Sequence, residues 1–294
     1  MKKILNYQHL YNPRFIYDNR DRILPYLIQM LYKPQGFIRK KLGEKDYPLT
    51  ENENILLKLK NKHKNHPCCI IGNGPSLKTC DLQRLHESGI FTFGFNKIYL
   101  AYKETDFRPT YYIIEDPIVA QNVKKKDLYS IGSKLLFFPF NYYHLFRSVP
   151  GCCFYHSHYN DFLPGYPKFG ETPFHFHWGA SVTYTALQFA VYMGMNPIYL
   201  IGMDFNFVTP NEADKNKSNV LISQGEQNHF HPDYRTTGEK WYIPRLKHQT
   251  HAFISAQNYC TPKDIRIFNV SRKTKLNVFI KKDINKILSI TNDK

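Results

Sequence analysis

The chain has no apolar run approaching the roughly 18 residues that a membrane-spanning helix requires. Its start, MKKILNYQHLYNPRF, breaks a short apolar stretch with Asn, Gln and His, so neither a membrane span nor a secretory signal is expected. Cysteine is scarce, with six in 294 residues and four of them in the adjacent pairs Cys68-Cys69 and Cys152-Cys153. That pattern lacks the CxxC spacing of a zinc site and the density of a disulfide scaffold, so a reduced, cytoplasmic setting is expected. Internal repeats are absent, which excludes solenoid and propeller architectures. RNP-like, zinc-finger and helix-turn-helix patterns are absent too, so nucleic acid is not an expected partner, although 22 Phe and 22 Tyr could supply stacking. Acidic residues are in short supply, with 24 Asp+Glu against 40 Lys+Arg and a formal charge of +16. An excess of that sign suits an anionic partner such as a nucleotide, an acidic glycan or a lipid surface.

The length and the 42% apolar composition suffice to bury a full core. Residues 1–50 form a basic N-terminal arm, carrying ten Lys/Arg up to Lys45 and an apolar patch from Ile23 to Tyr32. Such an arm could lie peripherally on the anionic inner face of a membrane, or pack on its parent domain or on a second copy in a homo-oligomer. From residue 51 to 294 the pattern is that of a single α/β domain. Short β-branched and aromatic runs at 68–71, 90–94, 111–114, 135–138 and 198–201 read as strands. Helical segments are expected over 77–86 and 182–193, and strand-helix alternation implies a mostly parallel sheet. Residues 209–238, rich in Asn, Asp, Lys, Gly and Pro, show no period and read as a long loop, with a lid over about 207–240. A helix over 241–256, a last strand over 265–270 and a short Lys-rich helix complete the expected order.

The first strand runs into Gly72-Asn73-Gly74-Pro75-Ser76. Two glycines let the backbone turn tightly and approach a ligand, and Ser76 at the N-cap of the following helix would leave amides available to a phosphate. The turn is neither the Walker pattern nor Gly-x-Gly-x-x-Gly. Other strand ends carry polar groups: Asn96 after Phe95, Glu115-Asp116 after Ile114, and Asp204 and Asn206 after Ile201-Gly202-Met203. Ligands of parallel sheets sit at the strands' carboxyl ends, so these groups should converge on the glycine turn. Gly179-Ala180-Ser181 precedes the apolar helix, with Ser181 as its expected N-cap, and offers a second helix N-terminus to an anion. Histidine pairs occur at His229-Phe230-His231 and His175-Phe176-His177. The first, beside Asp233 and Tyr234 in the polar loop, suits a general base near neutral pH. The four together could share a metal ion, but no cysteine or carboxylate spacing supports one, and none is expected.

Taken in order, Ile71-Gly72-Asn73-Gly74-Pro75-Ser76-Leu77-Lys78, Asn96, Asp116-Pro117, Gly179-Ala180-Ser181-Val182, Ile198 to Asp204 and His229-Phe230-His231 resemble the MptE-like (DUF115) family. The same order is similar to the bacterial sialyltransferases of glycosyltransferase family 42. The resemblance spans about residues 66–280. It implies a Rossmann-like sheet flanked by helices, in the GT-A-like sialyltransferase variant. By the sialyltransferase resemblance the chain would be a metal-independent, inverting glycosyltransferase, moving a sialic-acid-like sugar from a CMP donor onto a cell-surface glycan. The glycine turn and Asn73, with Asn96, Gly179, Ala180, Ser181 and Asp204, would hold the nucleotide, and His231 or His229 would deprotonate the acceptor. Glu115, Asp116, Asn206, Tyr234 and Tyr242 would line the substrate site. No cofactor would be needed. The sialyltransferases place tyrosines after Gly-x-Asp to support the leaving phosphate, whereas here Phe205-Asn206-Phe207 follow Asp204. That role would pass to Tyr234, Tyr242 or Lys240. By the pterin diphosphokinase resemblance the same turn would hold ATP, with Asp116 or Asp204 on Mg²⁺. A non-catalytic nucleotide- or glycan-binding protein is the third expectation.

Overall fold

The computed structural model describes residues 50–158, 167–210 and 219–285. The basic arm expected over 1–50, apart from Thr50, and positions 211–218 of the expected lid lie outside the described residues. The strands in chain order are β1 Cys68–Ile71, β2 Phe91–Phe95, β3 Tyr111–Ile113, β4 Leu135–Pro139, β5 Cys152–Tyr155, β6 Ser157–His158, β7 Phe176–His177, β8 Ile198–Ile201, β9 Val220–Ile222, β10 Lys240–Tyr242, β11 Ile267–Asn269 and β12 Ile280–Lys281. The α-helices are α1 Glu51–Leu57, α2 Thr79–Glu87, α3 Pro117–Asn122, α4 Lys125–Tyr129, α5 Tyr143–Phe146, α6 Val182–Tyr192 and α7 Leu246–Cys260.

Eight strands form one sheet in the order β12-β11-β8-β1-β2-β3-β4-β5, and every pairing in it is parallel. The chain winds outward from β1 to β5, then returns to the other side of β1 with β8. The strand order therefore reverses between β1 and β8, with Cys68 opposite Ile198 and Ile71 opposite Ile201. A crevice at such a reversal is where open α/β sheets bind ligands.

The buried character of the sequence explains the elements. Cys68-Cys69-Ile70-Ile71 is apolar throughout because helices cover both faces of the sheet. On one face α6 and α7 pack over Phe93, Tyr111 and Phe137 of the sheet, and α6 adds Phe189 to that row of rings, which follow one another at centroid spacings of 5.3, 5.6 and 4.1 Å. On the other face α2 contributes Leu82 and Leu85 to a core with Ile71, Phe138 and Phe146. Helix α6 is buried nearly all round, as expected of a helix held between sheet and helix, and its polar Thr185 and Gln188 find partners inside.

Three expectations need correction. Helix α2 starts at Thr79 with Lys78 as its N-cap, not at Leu77 under Ser76, because the amide and hydroxyl of Ser76 are bonded to Asp204. The helix expected over 241–256 begins only after Pro244. Trp241 instead pairs with Leu221 in the antiparallel β9–β10 ladder, and the Arg235 guanidinium lies 4.0 Å from its ring centroid. The segment read as a loop without structure thus contains a hairpin strand. The Lys-rich end provides β12 and turns helical at Ile284 and Asn285, and the remainder of the helix expected there lies outside the described residues.

Candidate functional site

The glycine turn is built against the end of β8. The Gly72 amide donates to the Ile201 carbonyl at 2.7 Å and the Gly74 amide to Gly202 at 2.9 Å. A Cβ on Gly72 would lie 2.5 Å from the Gly202 oxygen, and one on Gly74 would lie 2.0 Å from Asp204 Oδ2. Both glycines are thus demanded by the approach of the Gly202–Asp204 loop. Asp204 accepts from the Ser76 amide at 3.2 Å and from its hydroxyl at 2.9 Å. Burial raises the Asp204 pKa, opposed by those Ser76 bonds and by Lys273. The carboxylate therefore occupies donors that the sequence offered to a phosphate, and Pro75 is exposed beside them.

The 228–235 segment lies directly over this turn. Asn228 grips Val208 through both amide atoms, at 2.7 and 2.8 Å, and the Phe230 amide donates to the Asn73 carbonyl at 3.0 Å. Asn73 Nδ2 donates to the Phe95 carbonyl at 3.1 Å and to the Tyr234 hydroxyl at 3.0 Å. That orientation leaves Asn73 Oδ1 buried without a partner, and Asn96 Oδ1 is in the same condition. Asn96 sits at φ +48°, a region most side chains avoid. The His229 ring stacks on Tyr234 with centroids 3.8 Å apart and planes at 6°. Burial, then Arg235 and Lys97, bring the His229 pKa down to about 3, so its imidazole is neutral. Burial pushes the Tyr234 hydroxyl up to about 12. His231 Nδ1 accepts from the Asp233 amide at 3.1 Å, which in the neutral ring puts the proton on Nε2.

Two cations that the sequence reading missed complete this centre. Lys97 Nζ lies 6.0 Å from the Tyr234 ring centroid and pairs with Glu239 at 3.0 Å. Arg235 lies 4.0 Å from Glu226, and its buried Nη1 makes no hydrogen bond. Each directly follows a residue that was singled out, Asn96 and Tyr234. Adjacency to those residues was the available signal.

The other expected residues are placed differently. Glu115 is 4% exposed, and its Oε1 accepts from the hydroxyls of Thr185 at 2.9 Å and Tyr155 at 3.2 Å. Burial carries its pKa up to about 7, opposed by those two bonds. Asp116 caps α3, accepting from the amides of Ile118 and Val119 at 2.7 and 3.1 Å, and burial raises its pKa. Ser181 is the N-cap of α6 as expected, yet its hydroxyl makes no cap bond. Ala180 holds φ +56° and its carbonyl accepts from Gln249 at 2.9 Å. A Cβ on Gly179 would meet the Tyr184 ring at 2.4 Å, so that glycine answers to packing. Asn206 is exposed, and Tyr242 is exposed on the β9–β10 hairpin. His175 and His177 lie 3.8 and 5.9 Å from His158 by ring centroids. Among the described residues no group of three His, Cys, Asp or Glu could hold a metal ion, and no helix is long and apolar enough to cross a membrane.

No curated protein sequence matches the chain. Among solved structures, the MAf glycosyltransferase from Magnetospirillum magneticum AMB-1 is similar, at 16% identity and a TM-score of 0.47. The match covers 76% of this chain and 34% of that one, so the chain spans about a third of that protein's length. The model of a family described as "6-hydroxymethylpterin diphosphokinase MptE-like" matches residues 47–210. With more than half of its length matched by that model, the chain belongs to the MptE-like family.

Proposed function

We propose that this protein is a glycosyltransferase that takes an acidic, sialic-acid-like sugar from a CMP-activated donor and passes it to a cell-surface glycan. The carrying observation is the pair of buried, unpartnered amide oxygens of Asn73, at the end of β1, and Asn96, at the end of the neighbouring β2. Buried acceptors without partners are costly, and a ligand hydroxyl or amine would satisfy them. Beside them stand Lys97, paired with Glu239, and the Arg235 guanidinium, 4.0 Å from Glu226, whose buried Nη1 makes no hydrogen bond. Donors wanted on one side and negative charge on the other match a nucleoside phosphate, with ribose or base on the amides and phosphate on the cations.

In the transfer, the acceptor oxygen attacks the anomeric carbon as the bond from that carbon to the phosphate oxygen breaks. The bonding electrons leave on CMP, the acceptor proton passes to an imidazole, and in-line attack inverts the anomeric centre. His229 fits the base, because its neutral ring has a lone pair, while His231 in its present tautomer commits its lone pair to the Asp233 amide. A pKa near 3 would make His229 a weak base. An anionic donor beside Lys97 and Arg235 would offset two of the three causes of that depression and move His229 back toward neutrality. The same cations would stabilise charge developing on the departing phosphate. The scheme uses no metal or other cofactor.

The family description favours a second reading, transfer of diphosphate from ATP to a pterin. Its Mg²⁺ would need Asp116 or Asp204, but the first caps α3 and the second is bonded to Ser76. The residues as placed do not form a magnesium site. Peripheral membrane contact through the basic arm would suit a lipid-linked acceptor. The test is CMP release from CMP-sugar donors in the presence of glycan acceptors. His229→Ala should lower turnover by about 10²–10⁴-fold with CMP affinity retained; full turnover after replacing both His229 and His231 would remove the general-base assignment.

A further inference from the structure

A second cleft, of about 530 Å³, opens between α7 and the 275–278 loop and includes Phe205, the residue after Asp204. Its lining mixes apolar surface from Phe205 and Ile254 with the amide side chains of Gln257, Asn258 and Asn277 and the Lys275 ammonium. Volumes of this order suit small ligands. Amides offer a donor and an acceptor on one rigid plane, the complement of neighbouring hydroxyls, and apolar walls suit the C–H faces of a sugar ring. A lipid chain would leave these amides unused.

Two features prepare the cleft for such a guest. Gln257 Nε2 donates to the Thr261 hydroxyl at 2.8 Å, and that hydroxyl donates to the Gln257 carbonyl at 2.8 Å. The amide orientation is thereby fixed, and Gln257 Oε1 remains buried without a partner. The loop wall is held just as firmly. Lys275 donates its amide to the Asp204 carbonyl at 2.9 Å, Thr274 donates to the Met203 carbonyl at 2.6 Å, and Asn269 donates to the Leu276 carbonyl at 3.2 Å. Phe205 takes φ +54° to join the cleft to the loop whose Asp204 holds the glycine turn. Holding a non-glycine residue in that region is a conformational cost that the surrounding bonds must sustain.

We infer that this cleft is a saccharide subsite, seating one pyranose of a glycan through Gln257, Asn258, Asn277 and Lys275. The inference rests on the glycosyltransferase reading in that it gives the acceptor a seat, and the test separates the two. Saturation-transfer NMR with galactose, N-acetylglucosamine and N-acetylneuraminic acid at tens of millimolar reads the subsite, and CMP titration reads the nucleotide crevice. The expected result is ring-proton saturation by the wild type. The exposed pair Asn258→Ala/Asn277→Ala should weaken it by roughly tenfold while CMP affinity and thermal midpoint hold. A single Asn277→Asp exchange, which retains an acceptor at that exposed position, should lose less. Saccharide binding without CMP binding would leave the subsite standing and remove the transferase reading. Absence of saccharide binding in a protein that binds CMP, or binding indifferent to both substitutions, would overturn the subsite alone.

Discussion

Replacing Glu115 by Gln should stabilise the protein at alkaline pH and change it little in acid. Glu115 lies at the end of β3, buried, with Thr185 of α6 and Tyr155 of β5 donating to its Oε1. Burial raises its pKa from 4.5 to about 7. Between those values the folded protein keeps a proton that the unfolded chain has released. Stability from the protonated carboxyl is therefore complete below pH 4.5, falls as pH rises, and is lost above about 7, at about 1.4 kcal/mol per pH unit. The carboxyl should cost the wild type roughly 1 kcal/mol at pH 5 and roughly 3 kcal/mol at pH 8. Glutamine accepts the same two hydrogen bonds and never ionises, so the variant escapes that slope. Urea unfolding of both proteins at the two pH values isolates the group, because every other titration is shared. The gap should widen in the variant's favour by about 2 kcal/mol on going to pH 8, or on the order of 5 °C in Tm. Parallel pH profiles, or a variant that loses stability relative to wild type at pH 8, would refute the reasoning.

Gly74→Ala should fail to fold or lose more than about 3 kcal/mol, since its Cβ would meet Asp204 Oδ2 at 2.0 Å and the Gly202 oxygen at 2.7 Å. Gly89→Ala, at φ +66° with nothing within 4 Å, should cost roughly 1 kcal/mol from backbone conformation alone; thermal unfolding compares the two. Tyr234→Phe removes the acceptor of the Asn73 amide, with an expected loss of about 1 kcal/mol in denaturant unfolding and weaker CMP binding by calorimetry. Asp116→Ala removes the α3 cap and should cost about 1 kcal/mol without the loss of binding expected of a phosphate or metal ligand.

The parallel core was legible because its strands are buried on both faces and carry their pattern locally. β1 and β8 were read at their observed limits, and β2, β3 and β4 to within a residue or so at each end. The hairpin strand at Trp241 was not, since its partner Leu221 lies within a polar segment and only Pro244 marked the break. At the site, the sequence suggested that strand ends would meet, and Asn73, Asn96, Tyr234 and His229 do gather at one centre. It could not say that Asp204 would engage Ser76, because a carboxylate at a strand end and an amide at another look equally available to a ligand. Nor could it reveal that Glu115 faces inward while Asp116, its neighbour, caps a helix. Adjacent residues at a strand end point opposite ways, and only the packing of α6 decides which side is buried.

The central claim is that the carboxyl ends of β1 and β2, under the 228–235 segment, hold a nucleoside phosphate on Asn73, Asn96, Lys97 and Arg235. Calorimetric titration of the wild type and Arg235→Met with CMP, CDP and ATP, each with and without Mg²⁺, tests it directly. The account predicts CMP or CDP binding that needs no magnesium and weakens by about tenfold or more in the variant. ATP binding that appears only with Mg²⁺, or nucleotide binding indifferent to Arg235, would contradict it.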